Sequence, residues 1–207
     1  AAGIALAVKM RGEDSVVFTY GGDGSTSPGD FHEAVNFAAI HHLPVIFIIE
    51  NNLYAISTPN ALQMSAAPHE RAKGYGIPGH LADGTDVLDV YDKTKQAMER
   101  ARRGEGPSIV EATCYRYRPH SSDDDDSRYR SKDELKEWLA RDPIDRTGAY
   151  LREQGVAESE LDAMRATIAA DIERAIDEAE AEPDPRPEDL LRHVYAEGHP
   201  LPDGTRA

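Results

Sequence analysis

Five consecutive apolar residues, Val45 to Ile49, constrain the fold of this chain more than any other feature. A strand that is apolar at every position is buried on both faces, and such strands occur in parallel sheets that carry helices on both sides. Upstream, Ser15 to Tyr20 is a second strand by its β-branched and aromatic residues. A helix from Asp30, with Glu33 completing a capping box, to about His42 separates the two. Strand, helix and strand form a βαβ unit, which predicts a parallel sheet with a right-handed crossover.

The alternation of helices and strands continues further along the chain. Val87 to Arg103 is an amphipathic segment, which predicts a helix, and Pro107 to Cys114 has the composition of another buried strand. We therefore predict an α/β fold in which a doubly wound, mostly parallel sheet occupies residues 1–115.

The composition changes after this domain. Residues 116–130 form a polar loop that contains four consecutive aspartates, Asp123 to Asp126. Residues 131–207 are predicted to form a helical extension that ends in a Pro-rich C-terminal arm. Breaks in its helices are expected at Asp142-Pro143 and at Gly155, because proline and glycine interrupt helical hydrogen bonding.

The charge and the cysteine content exclude several classes of partner. With 23 basic and 38 acidic residues the formal net charge is -15, so we expect neither nucleic acid nor an anionic membrane surface as a partner. No apolar run approaches the ~20 residues that span a bilayer. Cys114 is the single cysteine, which rules out an intrachain disulfide and favours a cytoplasmic protein. A small polyanion remains possible if a divalent cation neutralises it.

Polar segments follow the first two predicted strands. Gly22-Asp23-Gly24-Ser25 comes after the first strand, and Asn51-Asn52-Leu53-Tyr54 comes after the second. Ligands of parallel α/β sheets bind beyond the carboxyl ends of the strands. If the two strands are neighbours, both segments lie at one edge of the sheet and can share one ligand.

These residue types suit a diphosphate bridged to magnesium. Glycines let the backbone approach phosphate, and Gly24 and Ser25 would donate amides to it. Magnesium takes six oxygens, including one or two carboxylates. Asp23 would supply a carboxylate, Asn52 a side-chain carbonyl and Tyr54 a main-chain carbonyl. Each segment by itself is most often an ordinary turn, but the 26 residues between Gly24 and Asn51 hold the helix and strand of a βαβ unit.

This spacing is similar to the motif of thiamine-diphosphate enzymes. Further segments resemble the alpha chain of the decarboxylating component of 2-oxo acid dehydrogenase complexes. These segments are Tyr20 to Asn36, Pro44 to Ser57, Gly74 to Gly79, Asp83-Gly84 with Asp86-Val87, Gly104 to Ala112, Tyr115 to Arg130 and Asp142 to Ile144. Tyr54 to Ser57 and Pro119 to Asp124 look more like the branched-chain (2-oxoisovalerate) type than the pyruvate type.

The resemblance implies an enzyme that decarboxylates branched-chain 2-oxo acids, such as 3-methyl-2-oxobutanoate, and passes the acyl group to lipoyl groups. It implies thiamine diphosphate and Mg²⁺ as cofactors, with Asp23, Asn52 and Tyr54 at the metal. His120 falls on a histidine of a mobile active-site loop over residues 116–130 that reaches the diphosphate, and Arg116 on an arginine at the base of that loop. Asp123 to Asp126 could simply be solvated; alternatively, the loop would become ordered when the cofactor binds, with these aspartates pairing to nearby arginines such as Arg128 and Arg130.

The resemblance also implies partners. The glutamate that activates the cofactor lies on a beta chain in this family, so activity is expected only in an α2β2 heterotetramer. A lipoyl-bearing acyltransferase core would accept the acyl group. The family's alpha chains extend further at the amino end, so we expect this chain to be part of a longer protein.

Several alternatives stay open. Glu50 stands where some branched-chain members carry an arginine, so a pyruvate or acetoin dehydrogenase alpha chain is an alternative. An inactive fragment or an interaction module with an α/β fold is an alternative of another class, although neither GxGxxG nor GxxxxGK[ST] occurs. His120 could be a solvated loop residue, and Arg116 could form a salt bridge with the aspartates at 123–126.

Overall fold

A computed structural model describes residues 1–192 of the chain. Its regular elements alternate between helices and strands in the first half, and helices alone follow. They are α1 (Ala2–Arg11), β1 (Val17–Gly22), α2 (Gly29–Ile40), β2 (Val45–Asn51), β3 (Tyr54–Ala55), β4 (Thr58–Pro59), α3 (Asn60–Gln63), α4 (Pro68–Arg71), β5 (Gly79–Asp83), α5 (Val87–Arg102), β6 (Ser108–Thr113), α6 (Lys132–Leu139), α7 (Pro143–Glu153) and α8 (Glu158–Ala181).

A four-stranded parallel sheet forms the centre of the fold. Its strand order is β1-β2-β6-β5, which confirms the predicted parallel α/β architecture. β1 and β2 are neighbours, and Gly22 lies opposite Glu50 where both strands end. The two polar segments therefore begin at adjacent strand ends, as the sequence predicts.

Helices cover both faces of this sheet. One face buries Val45, Phe47 and Ile49 of β2 in a core cluster that includes residues of α1 and α2. The other face buries Ile46 and Ile48 with a residue of α5. Because alternate residues of β2 enter opposite cores, every residue of its apolar run is buried, and the doubly wound prediction is confirmed.

Particular residues cap the ends of several helices. Gly12 ends α1 in the left-handed conformation, with φ 67°. Asp86 caps α5 and Asp142 caps α7, each accepting hydrogen bonds from main-chain amides of the first turn. The predicted capping box of α2 is wrong, because this helix begins at Gly29 without a side-chain cap and Asp30 lies inside its first turn.

The edge strand β5 was not predicted from the sequence. It is short, and its sequence GHLAD contains few of the residues that favour strands. Leu81 within it is half exposed, as suits the edge of a sheet. Its pairing with the buried β6 decides its conformation.

The chain divides into two compact units, residues 1–154 and residues 155–207. The first contains the sheet and α1 to α7, and the second contains α8 within its described part. The interruptions at Asp142-Pro143 and Gly155 lie between the helices α6, α7 and α8, where the sequence predicts them. The predicted Pro-rich arm begins within the described residues, where Pro187–Leu191 form a turn of 3-10 helix, and its part after Arg192 lies outside them.

A search of residues 1–192 finds no helix with the length and apolar character needed to cross a membrane.

Candidate functional site

The turn after β1 buries a carboxylate. Asp23 to Thr26 form one turn of 3-10 helix, and Asp23 is 1% exposed. The Thr26 hydroxyl and the Gln63 amide both donate to the main-chain oxygen of Asp23, at 2.7 and 2.9 Å. The turn is therefore fixed by its own residues and by α3.

One side-chain oxygen of Asp23 has no protein partner. Its Oδ2 is buried and accepts no hydrogen bond. Burial raises the pKa of the Asp23 carboxyl above its ordinary value, although main-chain amides of Asp23 and Asn52 and the charge of Arg116 oppose this. An unpartnered buried carboxylate oxygen is costly, and a bound cation would remove that cost. The residue thus fits the predicted role in holding a metal.

Gly24 lies against the next loop. A Cβ at this position would come within 3.0 Å of the Ala55 Cβ, so glycine allows the turn and the loop to touch. Ser25 is exposed and lines a cavity of about 430 Å³ together with Tyr20 and Gly21. Asp23, Asn52 and Tyr54 are not among its lining residues.

The loop after β2 is a tight hairpin. Strands β3 and β4 pair antiparallel, with Tyr54 opposite Pro59. Leu53 and Ile56 have φ values of 74° and 58°, a region that side chains rarely adopt and that a β-branched residue such as Ile56 avoids most strongly. The Asn52 Oδ1 accepts a hydrogen bond from the Tyr54 amide at 3.2 Å. This bond fixes the orientation of the Asn52 carbonyl oxygen.

Arg116 contacts the main-chain oxygens of this hairpin. Its guanidinium donates to the Tyr54 oxygen at 3.3 Å and to the Ile56 oxygen at 2.6 Å. It also donates to the Tyr129 hydroxyl, which in turn donates to Asp124 at 2.5 Å. Arg116 is thus linked to Asp124 by hydrogen bonds through Tyr129, and its charge also helps to lower the pKa of Asp124. It joins the residue 116–130 loop to Tyr54, one of the predicted metal ligands.

His120 lies on the exposed part of the same loop. Its main-chain amide donates to Asp124 Oδ2 at 2.9 Å. Among residues 1–192, the hydrogen bonds described for His120 join it to its own loop and not to the turn at Asp23. The structure thus brings Asp23, Asn52, Tyr54 and Arg116 together and leaves His120 outside that group.

Arg130 closes the base of the loop. Its side chain is only 2% exposed and pairs with Asp126 at 2.5 Å. It also donates to the main-chain oxygens of Arg116 and Tyr117, and it lies 5.3 Å from the ring centre of Tyr115. A buried guanidinium with this many acceptors orders the base of the loop.

Tyr54 anchors the hairpin to the first helix of the extension. Its hydroxyl donates to Glu134 of α6 at 2.9 Å. Burial and this hydrogen bond raise the pKa of Tyr54 to about 12. The Tyr115 ring stacks on Trp138 of α6 with 12° between the rings, so α6 supports both the hairpin and the loop.

Further residues at the site were missed by sequence reasoning. Arg71 donates to the main-chain oxygen and the hydroxyl of Thr26, at 3.0 and 2.5 Å. Glu111, Asn51 and His69 form a buried polar cluster behind the hairpin. Forty or more residues separate most of these partners along the chain, so no local pattern could reveal the contacts.

A cluster of three or more His, Cys, Asp or Glu side chains able to hold a metal ion is absent from residues 1–192. The predicted magnesium site uses one carboxylate, one amide and one main-chain carbonyl, and it needs no such cluster. Asp23 and Asn52 fit it, while Arg116 also approaches the third predicted ligand, the Tyr54 oxygen.

The sequence is similar to known proteins over most of its length. The family model of the dehydrogenase E1 component matches residues 1–188. The 2-oxoisovalerate dehydrogenase subunit alpha of Bacillus subtilis is 50% identical over 198 residues, which are 95% of this chain and 60% of that protein. The pyruvate dehydrogenase E1 component subunit alpha of Staphylococcus aureus is 46% identical over 183 residues, 87% of this chain and 50% of that protein.

A second pyruvate dehydrogenase E1 component subunit alpha, from Bacillus subtilis, is 43% identical over 197 residues, or 94% of this chain and 53% of that protein. The chain thus spans about half to three fifths of the length of these relatives. The family model covers nearly all of the described residues, including both strand-end segments and the loop at 116–130. The chain belongs to the dehydrogenase E1 component family.

Proposed function

We propose that this chain is the cofactor-binding part of the alpha chain of a thiamine-diphosphate-dependent 2-oxo acid dehydrogenase. The observation that carries the proposal is the buried Asp23 Oδ2, which has no protein partner and lies at a strand end beside Asn52. In this family context, a magnesium ion bound to a diphosphate would neutralise that carboxylate.

Each residue of the site would have a distinct task. Asp23 and the Asn52 carbonyl would hold Mg²⁺, with the Tyr54 main-chain oxygen as third protein ligand. Gly24 and Ser25 would present amides to the diphosphate, since backbone N–H groups at a turn bind phosphate well.

The loop residues would act beyond the metal. Thiamine diphosphate supplies the electron sink for decarboxylation when it is bound. Arg116 would keep the hairpin in place and offer its charge to a phosphate or a substrate carboxylate. His120 is exposed on the loop and would exchange a proton or contact phosphate if the loop folds over the cavity.

Branched-chain 2-oxo acids are the substrates we propose. The Bacillus subtilis relative at 50% identity carries the name of a 2-oxoisovalerate dehydrogenase subunit, which supports the 3-methyl-2-oxobutanoate type. Pyruvate is the second candidate, because relatives named as pyruvate dehydrogenase subunits are 46% and 43% identical. Glu50 leaves this choice open, since it departs from some branched-chain members.

A beta chain is the partner we propose, in an α2β2 heterotetramer that passes acyl groups to a lipoyl-bearing acyltransferase. The described residues of the second unit support a partner chain. Helix α8 exposes a stripe of apolar side chains at intervals of four residues, and these are Met164, Ile168, Ile172 and Ile176. Such a stripe is typical of a helix that packs against another protein. The bacterial relatives and the single cysteine fit a cytoplasmic enzyme.

Calorimetric titration tests the metal assignment. Thiamine diphosphate would be titrated with Mg²⁺ into the chain assembled with its beta partner, for the wild type and for Asp23→Ala. We expect the variant to weaken binding at least 100-fold. Glu33→Ala removes an exposed carboxylate from α2 and serves as the control, which should bind as the wild type does. Unchanged affinity in Asp23→Ala would refute the assignment.

Substrate choice needs a separate measurement. Turnover of 3-methyl-2-oxobutanoate and of pyruvate by the same assembly gives two values of kcat/KM. A larger value for pyruvate would replace the branched-chain proposal by the pyruvate one while leaving the metal site intact.

A further inference from the structure

The buried carboxylate of Glu111 contacts the start of the loop that carries the predicted metal ligands Asn52 and Tyr54. Glu111 is in the second half of β6, between β2 and β5, and is 1% exposed. Its oxygens contact the Asn51 amide at 2.6 Å, the His69 main-chain amide at 2.9 Å and the His69 Nδ1 at 2.6 Å. Both amides donate to Glu111, and His69 Nδ1 does so too in the tautomer that carries the proton on this nitrogen.

The hydrogen bonds continue from Asn51 into the hairpin. Asn51 uses its amide group to reach Glu111, which leaves its Oδ1 for the loop. This oxygen accepts from the Leu53 amide at 3.1 Å and from the Asn60 side chain at 2.6 Å. The Asn60 main-chain amide donates back to the Leu53 oxygen at 3.0 Å. Asn51 therefore joins Glu111 to both ends of the segment that contains Asn52 and Tyr54.

We infer that Glu111 is a positioning residue that orients the two neighbouring asparagines for different tasks. Glu111 holds Asn51 inward, and the Leu53 bond to Asn51 fixes the turn that carries Asn52, whose main-chain amide donates to the Asp23 carboxyl. This inference rests on the proposed function, since it assigns the orientation of the proposed magnesium ligands to a residue that would not touch the ion.

The polarity of the contacts makes this assignment specific. Glu111→Gln preserves shape but introduces an NH₂ group. In one orientation this group faces the Asn51 amide, and in the other it faces the His69 amide, so two donors meet in either case. Asn51→Asp places a second carboxylate oxygen at the 2.6 Å contact with Glu111, where two anions repel each other.

Combining the two changes reverses the direction of the hydrogen bond and restores every contact. In Asn51→Asp/Glu111→Gln, the new amide at 111 donates to the new carboxylate at 51. The remaining oxygen at 111 accepts from both His69 donors, and the remaining oxygen at 51 accepts from Leu53 and Asn60. A network that merely fills space would gain nothing from this reversal.

The test measures the Mg²⁺ concentration that gives half-maximal thiamine diphosphate binding to the chain assembled with its beta partner. Amide hydrogen exchange at Leu53, without cofactor, is the second readout. We expect each single variant to raise the required Mg²⁺ concentration at least tenfold and to accelerate Leu53 exchange. The double variant should lie within threefold of the wild type in both measurements. Ser108→Ala is the matched control, because it removes a buried hydroxyl without a partner from the same strand.

The possible results distinguish failure of this inference from failure of the proposed function. Single variants that need no more Mg²⁺ than the wild type would overturn the inference alone, and so would a double variant no better than the weaker single. If a single variant does not fold, the double variant carries the test by the same criteria. Absence of magnesium-dependent binding in the wild type would overturn the proposed function, and this inference with it.

Discussion

The turn after β1 and the hairpin after β2 begin at adjacent strand ends, yet their polar groups are held in opposite ways. In the turn, the Asp23 Oδ2 is buried with no protein partner. In the hairpin, Asn51 uses both ends of its amide within the protein, and Asn52 also accepts a bond from within its own loop. The turn thus holds a buried carboxylate oxygen without a protein hydrogen bond, whereas the hairpin beside it is held in place by its own hydrogen bonds. A site that binds a cation needs both properties.

The largest expected effect comes from removing the charge in the turn. Asp23→Asn should abolish the rise in Tm that Mg²⁺ with thiamine diphosphate gives the assembled enzyme. In the cofactor-free chain the same change should raise the free energy of unfolding at pH 7 by about 1–2 kcal/mol, since it removes a carboxylate whose ionised form burial disfavours. Thermal and urea denaturation measure the two effects.

The stability gained in Asp23→Asn should depend on pH. The folded chain raises the Asp23 pKa, so it binds the proton more tightly than the unfolded chain does. Ionisation of Asp23 therefore destabilises the fold as the pH rises above the ordinary carboxyl pKa. The advantage of Asp23→Asn should shrink towards pH 4, and an advantage that is constant from pH 4 to 8 would contradict the argument.

A smaller effect is expected when the hydrogen bond that anchors the hairpin to α6 is removed. Tyr54→Phe removes the hydrogen bond to Glu134, which should lower the free energy of unfolding by about 1.5 kcal/mol, the scale of a bond to a charged group. The Tyr54 pKa is raised to about 12, so the contribution is present below pH 10 and is lost between pH 10 and 12. Stability curves of the two proteins should converge in that range.

Tyr129→Phe is a useful comparison for this experiment. Tyr129 donates to Asp124 in the loop at 116–130 and not to α6. If both variants lost the same free energy of unfolding at every pH, the bond from Tyr54 to α6 would stabilise the protein no more than the bond within the loop does.

An added methyl group between the turn after β1 and the hairpin after β2 should lower the stability of the protein. Gly24→Ala would bring a Cβ within 3.0 Å of the Ala55 Cβ, which should cost about 1 kcal/mol of folding free energy because a packed contact must open. Gly22→Ala is the matched control, since a Cβ there meets nothing within 4 Å. Equal stabilities of the two variants in urea would show that the turn and the hairpin do not depend on this contact.

The smallest expected effect concerns a neighbouring thiol. Burial raises the pKa of Cys114 to about 11, and the charges of Glu50 and Asp23 add to this. Native chain should therefore react with iodoacetamide far more slowly at pH 8 than unfolded chain does. Asp23→Asn should speed the native reaction slightly. A native rate equal to the unfolded rate would contradict the burial of the thiol.

The apolar and polar patterns of the sequence predicted most of the scaffold. Residues 45–49 could only form a strand buried on both faces, and the βαβ pattern made β1 and β2 neighbours, as the sheet confirms. That pairing predicted that the two polar segments lie together at one edge of the sheet. The short strand β5 and the hairpin β3–β4 were missed, because partners elsewhere in the fold decide their conformation and not their own composition.

The roles within the site divide in the same way. The spacing of the two polar segments predicted that Asp23 and Asn52 bind one ion. Arg116 was indicated only by the resemblance to the family. The structure added that Arg116 contacts the hairpin carbonyls and that Arg130 closes the loop. These contacts join residues whose separation along the chain carries no periodic signal.

By itself the sequence determined the layered α/β fold, because the burial of apolar residues follows directly from their period along the chain. It also predicted which strand ends carry the proposed oxygen ligands. Only the tertiary structure decided that Asp23 retains an unpartnered oxygen and that Glu111 and Asn51 form a buried pair. Hydrogen bonds depend on distances between atoms that the chain brings together only when it folds, and no local pattern encodes those distances.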